Sequence, residues 1–96
     1  MNRAETILNQ LGGKKFILMT GSKDFMSTGN GLQMKLARNN SGAGYLEIQH
    51  TESDLYNMVF YSVRGIEMKI KKEISNVYAD MLVNIFQSTT GLIVRF

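Results

Sequence analysis

A single histidine, His50, and eight carboxylates supply the acid–base chemistry of this 96-residue chain, which has no cysteine. A hydroxyl nucleophile needs a base of suitable pKa within hydrogen-bond reach, so a serine- or threonine-based hydrolase would have to be built on His50. Its setting argues otherwise. His50 shares the strand parity of Leu46 and Ile48 and ends that run beside Thr51 and Glu52, the position of a structural histidine. Glu47, Glu52 and Asp54 could gather at one hairpin end, but a solvated acidic turn accounts for them more simply, and they do not furnish a two-metal site. Without thiolates, cysteine-built zinc and iron–sulfur centres are excluded. The expectation is a non-enzymatic chain with no catalytic residue, no metal and no cofactor.

The cations are better organised. Residues 14–38 hold Lys14, Lys15, Lys23, Lys35 and Arg38 against Asp24, and residues 64–72 hold Arg64, Lys69, Lys71 and Lys72 against Glu67. Between them, residues 39–63 carry carboxylates and no Lys or Arg. Basic side chains interleaved with aromatics such as Phe25 and Tyr61 can neutralise phosphates and offer stacking surfaces. Lys23, Lys35, Arg38, Arg64, Lys69 and Lys71 are therefore the candidate anion or nucleic-acid contacts, on the expectation that two distant segments converge on one face. A mixed surface is the plain alternative. A second candidate is the turn Thr20-Gly21-Ser22-Lys23, where backbone N–H groups and a lysine leaving a strand could hold a phosphate. Gly12-Gly13-Lys14-Lys15 and Gly29-Asn30-Gly31 lack the Walker and dinucleotide spacings and read as turns. The last helical segment contains Asp80 and no Lys or Arg, which speaks against a major-groove recognition helix.

The elements that must position these residues follow from periodicity. The length allows one domain, residues 1–96, and a 44% apolar, 20% charged composition suits a globular core. Asn2 and Glu5 form a capping box for a helix over about residues 3–11, with Ile7, Leu8 and Leu11 on one face and Gly12 as its stop. Lys15-Phe16-Ile17-Leu18-Met19-Thr20 reads as a central strand, and residues 21–31 as a surface loop pinned by Phe25 and Met26. Leu32, Met34 and Leu36 alternate with polar neighbours and return, through Asn39-Asn40-Ser41-Gly42, as Leu46, Ile48 and His50, a hairpin pattern. After a turn at 51–54, residues 55–63 form a strand apolar on both faces. Beyond Arg64-Gly65, Ile66, Met68 and Ile70 alternate with Glu67, Lys69 and Lys71, predicting a buried row and a solvated row.

A final helix capped by Ser75 or Asn76 presents Val77, Tyr78, Met81, Leu82, Ile85 and Phe86 as one stripe and stops at Gly91, leaving 92–96 as a terminal strand or an apolar tail on the body. Phe16, Phe60, Tyr78 and Phe86 are expected in the core, as are Met19, Met34, Met58 and Met81. The architecture expected is α+β: an antiparallel sheet of four to five strands with an N-terminal and a C-terminal helix packed on one face.

The motifs Gly12-Gly13-x-x-Phe16-Ile17-x-Met19-Thr20-Gly21-x-Lys23-x-Phe25, Gly31-Leu32-x-Met34-x-Leu36, Val63-Arg64-Gly65, Val77-Tyr78-Ala79-Asp80-x-Leu82 and Thr90-Gly91-Leu92 together resemble a group of small bacteriophage and prophage proteins of unassigned function. The resemblance spans nearly the whole chain and implies a phage or prophage source, but no reaction, cofactor or catalytic residue. The chain lacks a proline-containing connection between the loop and the second strand found in some members.

The leading functional expectation is an accessory protein that binds an anionic partner, nucleic acid first among them, in the host cytoplasm. The N-terminus is too polar for a signal peptide and no apolar run reaches membrane-spanning length, so no membrane partner is expected. A second reading is a stoichiometric inhibitor of a host enzyme or defence complex, using sheet edges, the 21–31 loop and methionine-rich surface. A third is a pocket that sequesters a nucleotide. Free sheet edges and the apolar tail further suggest a homo-oligomer. Arg64 would pair with Asp80 if it does not serve an anion site.

Overall fold

Alternation beginning at residue 31 builds the centre of the molecule. The computed structural model describes residues 3–94. Strands β1 (Lys23–Ser27), β2 (Gly31–Lys35), β3 (Tyr45–His50), β4 (Tyr56–Arg64) and β5 (Glu67–Val77) form an antiparallel meander in the spatial order β1-β2-β3-β4-β5. Helices α1 (Arg3–Leu11) and α2 (Lys14–Thr20) precede the sheet, and a 3₁₀ turn (Ala79–Met81) leads into α3 (Leu82–Thr90) after it. The α+β class and the open antiparallel sheet agree with the sequence pattern.

Register explains the core. Leu32 lies opposite Ile48 and Met34 opposite Leu46, and these continue to Met58 and Phe60 on β4. All six are buried, and they pack with Ile7 and Leu11 of α1, Phe16 of α2, and Leu82 and Phe86 of α3. The rings of Phe16 and Phe86 meet edge to face with centroids 4.9 Å apart. Gly31 is required by close approach: a Cβ there would stand 2.1 Å from the carbonyl oxygen of Ile48, well inside any permitted contact.

Several local expectations are corrected. The apolar run at 15–20 is helix α2, not a central strand: Phe16 and Thr20, one turn apart, are buried, whereas Leu18 is 83% exposed. Half of the expected 21–31 loop is edge strand β1, with a bulge at Asp24, whose φ is 55°. Phe25 packs on the core but Met26 is exposed. The predicted final helix starts late. β5 runs through its expected cap to Val77, Asn76 adopts a φ of 60°, and Tyr78 and Met81 face solvent.

Met19 is exposed as well, while Met34 and Met58 occupy the core. Gly91 ends α3 in the left-handed conformation as expected. Residues 92–94 form no strand, lying instead as a tail held by Leu92 N–H on Thr90 Oγ1 at 3.1 Å and Val94 N–H on Gln87 Oε1 at 2.7 Å. The Asn2 cap and the last two residues of the expected terminal strand lie outside the described residues.

The largest correction concerns β5. The row Ile66, Met68 and Ile70, expected to be buried, is exposed at 103%, 58% and 50%. Its alternation is real, but the β4–β5 hairpin runs past the helices, and its apolar row lies on the face they do not cover.

Candidate anion-binding groove

Two turns and a bulge shape a groove in which predicted site residues meet. Arg64 and Glu67 close the β4–β5 hairpin as cross-strand partners around the two-residue loop Gly65-Ile66. Gly65 has a φ of 58°, the left-handed value that the first position of a type II′ turn reserves for glycine. Two pairs further along, and on the same face, Ser62 lies opposite Lys69. The ladder then slips: Tyr61 pairs with Ile70 but Phe60 with Lys72, so Lys71 is the extra residue of a bulge. Lys71, two residues on from Lys69, stays on the face of Ser62, Arg64, Glu67 and Lys69, and the slip brings Lys72 opposite Phe60.

The opposite wall is the connection from β2 to β3, folded around Asn39. Its Nδ2 donates to the carbonyls of Ala37 and Ala43, each at 2.8 Å, and its Oδ1 accepts from the N–H of Ser41 at 3.0 Å and from the Ser41 hydroxyl. Gly44 N–H donates to Tyr61 O at 3.0 Å, which ties this turn to β4. Gly42 sits over the lysine stem, and a Cβ there would lie 3.9 Å from Lys71 Cε.

Together Gly42, Ser62, Arg64, Glu67, Lys69 and Lys71 line a groove of about 340 Å³. Three cations against one carboxylate give it a net positive lining. Neither Arg64 nor the lysines form an ion pair with another described residue, Asp80 and the cross-strand Glu67 included.

The other predicted cations do not join them. Lys23 pairs with Lys35, Lys35 with Tyr45, Tyr45 with Tyr61 and Tyr61 with Ile70, one row across all five strands. Paired residues point to the same side of a sheet and successive residues to opposite sides, so Lys23 and Lys35 project from the face opposite Arg64 and Lys69. The next row on that opposite face contains Glu47 and Glu73, which offset the two lysines. Arg38 is exposed in the β2–β3 connection, outside the groove lining. Of the predicted cations, those that line the groove all come from the second basic segment, and Lys23 and Lys35 lie on the other face.

The Thr20–Lys23 turn is a helix end. Thr20 Oγ1 donates to Phe16 O at 2.6 Å, so the contact with Ser22 Oγ at 2.8 Å is donated by Ser22, and Ser22 N–H also reaches Thr20 Oγ1 at 3.3 Å. Gly21 N–H donates to Ile17 O at 3.0 Å. The donors a phosphate would need are spent, Thr20 and Ser22 are buried, and a helix C-terminus presents the wrong end of its dipole to an anion. The same arrangement closes α3, where Thr90 Oγ1 donates to Phe86 O at 2.7 Å and accepts from Leu92 N–H.

His50 lies at the far end of β3 from the groove, its Nε2 2.6 Å from Asp54 Oδ1 and its ring edge-on to Tyr56 at 5.3 Å. Both contacts are those of a strand-end structural histidine. Among the described residues no three of His, Asp and Glu gather as a metal site, and no helix is long and apolar enough to cross a membrane.

Tyr61, expected from the sequence to offer a stacking surface beside the cations, lies on the opposite face from the groove. Tyr61 is buried although it points away from the helices; burial, then the negative charge of Glu47, then Tyr45, push its phenol above the ordinary value of 10.0. Comparison with protein-family models, with curated proteins and with solved structures finds no match.

Proposed function

We propose that this protein binds the phosphate backbone of nucleic acid in the groove between the Asn39-centred turn and the β4–β5 hairpin, acting as a non-enzymatic accessory protein of the phage type in the host cytoplasm. The observation that carries the reading is the convergence of Arg64, Lys69 and Lys71 with the Ser62 hydroxyl around one groove whose cations have no ion-pair partner among the described residues. Arg64 offers a planar fork suited to two phosphate oxygens, whereas Lys69 and Lys71 act as mobile point charges. Ser62 adds a neutral donor. Such contacts hold a backbone without reading base sequence. Glu67 at the hairpin end offsets one charge and favours weak, reversible binding.

The test is fluorescence anisotropy with labelled single- and double-stranded oligonucleotides. Three phosphate contacts give a log-affinity against log-salt slope of about −2 to −3, the slope being about −0.9 per phosphate for duplex and about −0.7 for single strands. Binding with that slope is the expected result; no binding at about 50 mM salt overturns the reading.

A further inference from the structure

The free edge of β5 has a pattern that selects one partner. β5 is an edge strand of 11 residues, about twice the ordinary strand length, with exposed Met68 and Ile70 along its first half and exposed Ile66 in the loop just before it. Val63, also exposed, lies opposite Met68. Long apolar edges are templates for strand addition. The two-residue loop makes Arg64 and Glu67 a hydrogen-bonded pair, and pairs alternate along an antiparallel ladder, so Ser62–Lys69 is bonded while Val63–Met68 and Tyr61–Ile70 are not. The backbone N–H and C=O groups of Met68 and Ile70 therefore point to the free edge. The bulge at Lys71 ends this regular stretch.

A second copy can add antiparallel to that edge only in registers that pair outward-pointing residues, and charge separates them. Centring on residue 67 sets Glu67 against Glu67, centring on 69 sets Lys69 against Lys69 while Glu67 meets Lys71 only at the bulge, and centring on 70 sets Lys69 towards Lys71 at that bulge. Centring on Met68 alone sets Glu67 against Lys69 of the second copy, twice by symmetry. It also places Met68 beside its own mate and Ile66 beside Ile70 of the second copy, which joins the two exposed apolar rows on one face. Like charges directly opposite destabilise a ladder and opposite charges support it.

We infer that the protein forms a two-fold dimer by antiparallel pairing of its β5 edges centred on Met68, giving a continuous sheet of ten strands. This goes beyond the anion-binding reading and is measured without nucleic acid present. A ladder this short forms a small interface of the weak class, with dissociation in the micromolar range.

Sedimentation equilibrium at about 100 µM, where a Kd of about 10 µM leaves most chains paired, tests it. The wild-type protein is expected at twice the chain mass. Lys69→Glu and Glu67→Lys, each creating two like-charge contacts, are expected to be monomeric, and the double exchange E67K/K69E to dimerise again. A monomeric wild type, single variants that stay dimeric, a double variant that stays monomeric, or species larger than a dimer overturns the proposal. All the altered positions are exposed, and recovery by the double exchange separates loss of pairing from loss of fold.

Discussion

Tyr45 and Tyr61 are direct cross-strand partners and stack on the sheet face opposite the groove, with ring centroids 5.4 Å apart and planes inclined by 15°. Burial first, then the negative charge of Glu47, then Tyr45, raise the Tyr61 phenol above the ordinary value of 10.0. In the unfolded chain the same phenol ionises near that value, so between the two pKa values the folded state binds more protons. Linkage then makes this contribution complete below about pH 10 and progressively lost as pH rises beyond it. Denaturant titrations at about pH 9 and about pH 11 should show a larger loss of stability for the wild type than for Tyr61→Phe. An equal loss would remove the role assigned to burial of the phenol.

Thr20→Val tests the assignment of its turn to structure. The hydroxyl serves Phe16 O and both groups of Ser22, and its removal leaves buried donors unpaired at a cost of about 1–3 kcal/mol. For a domain of this size that lowers the Tm by roughly 4–8 °C per kcal/mol. Oligonucleotide affinity should be unchanged at temperatures where the variant is folded. A tenfold loss of affinity without a lower Tm would return the turn to the binding site.

Asn39→Ala separates positioning from charge. The amide holds the wall facing Lys71 through four hydrogen bonds to Ala37, Ala43 and Ser41, but contributes no cation to the groove. Anisotropy should show affinity falling several-fold with the salt slope unchanged, because the number of phosphates neutralised stays the same. A changed slope would mean that the turn itself contacts the polyanion.

Legibility divided along a physical line. The hairpin of β2 and β3 was readable because alternation with a turn between two runs admits one register, Leu32 against Ile48 and Met34 against Leu46. The run at 15–20 was not readable by periodicity, since a short continuous apolar stretch fits a covered strand and a short helix equally. Two signals pointed to helix: Lys, Leu and Met are good helix formers, and Phe16-x-x-x-Thr20-Gly21 repeats the Phe86-x-x-x-Thr90-Gly91 ending of α3. Ile66, Met68 and Ile70 show the other limit. Alternation says which side chains share a face, but only the reach of the helices decides whether that face is covered. For the site, Arg64, Lys69 and Lys71 were identifiable as basic residues near a turn, yet their separation from Lys23 and Lys35 depended on strand parity carried across four ladders.

That separation permits the most direct test of the binding account. Lys23→Ala/Lys35→Ala and Lys69→Ala/Lys71→Ala remove the same charge from opposite faces of one sheet, so net charge is held equal while the groove is lost in one variant alone. Oligonucleotide affinity measured across a salt series should keep the wild-type slope in the first variant and lose about two units of slope in the second. Equal losses in both variants, or a larger loss from Lys23 and Lys35, would contradict it.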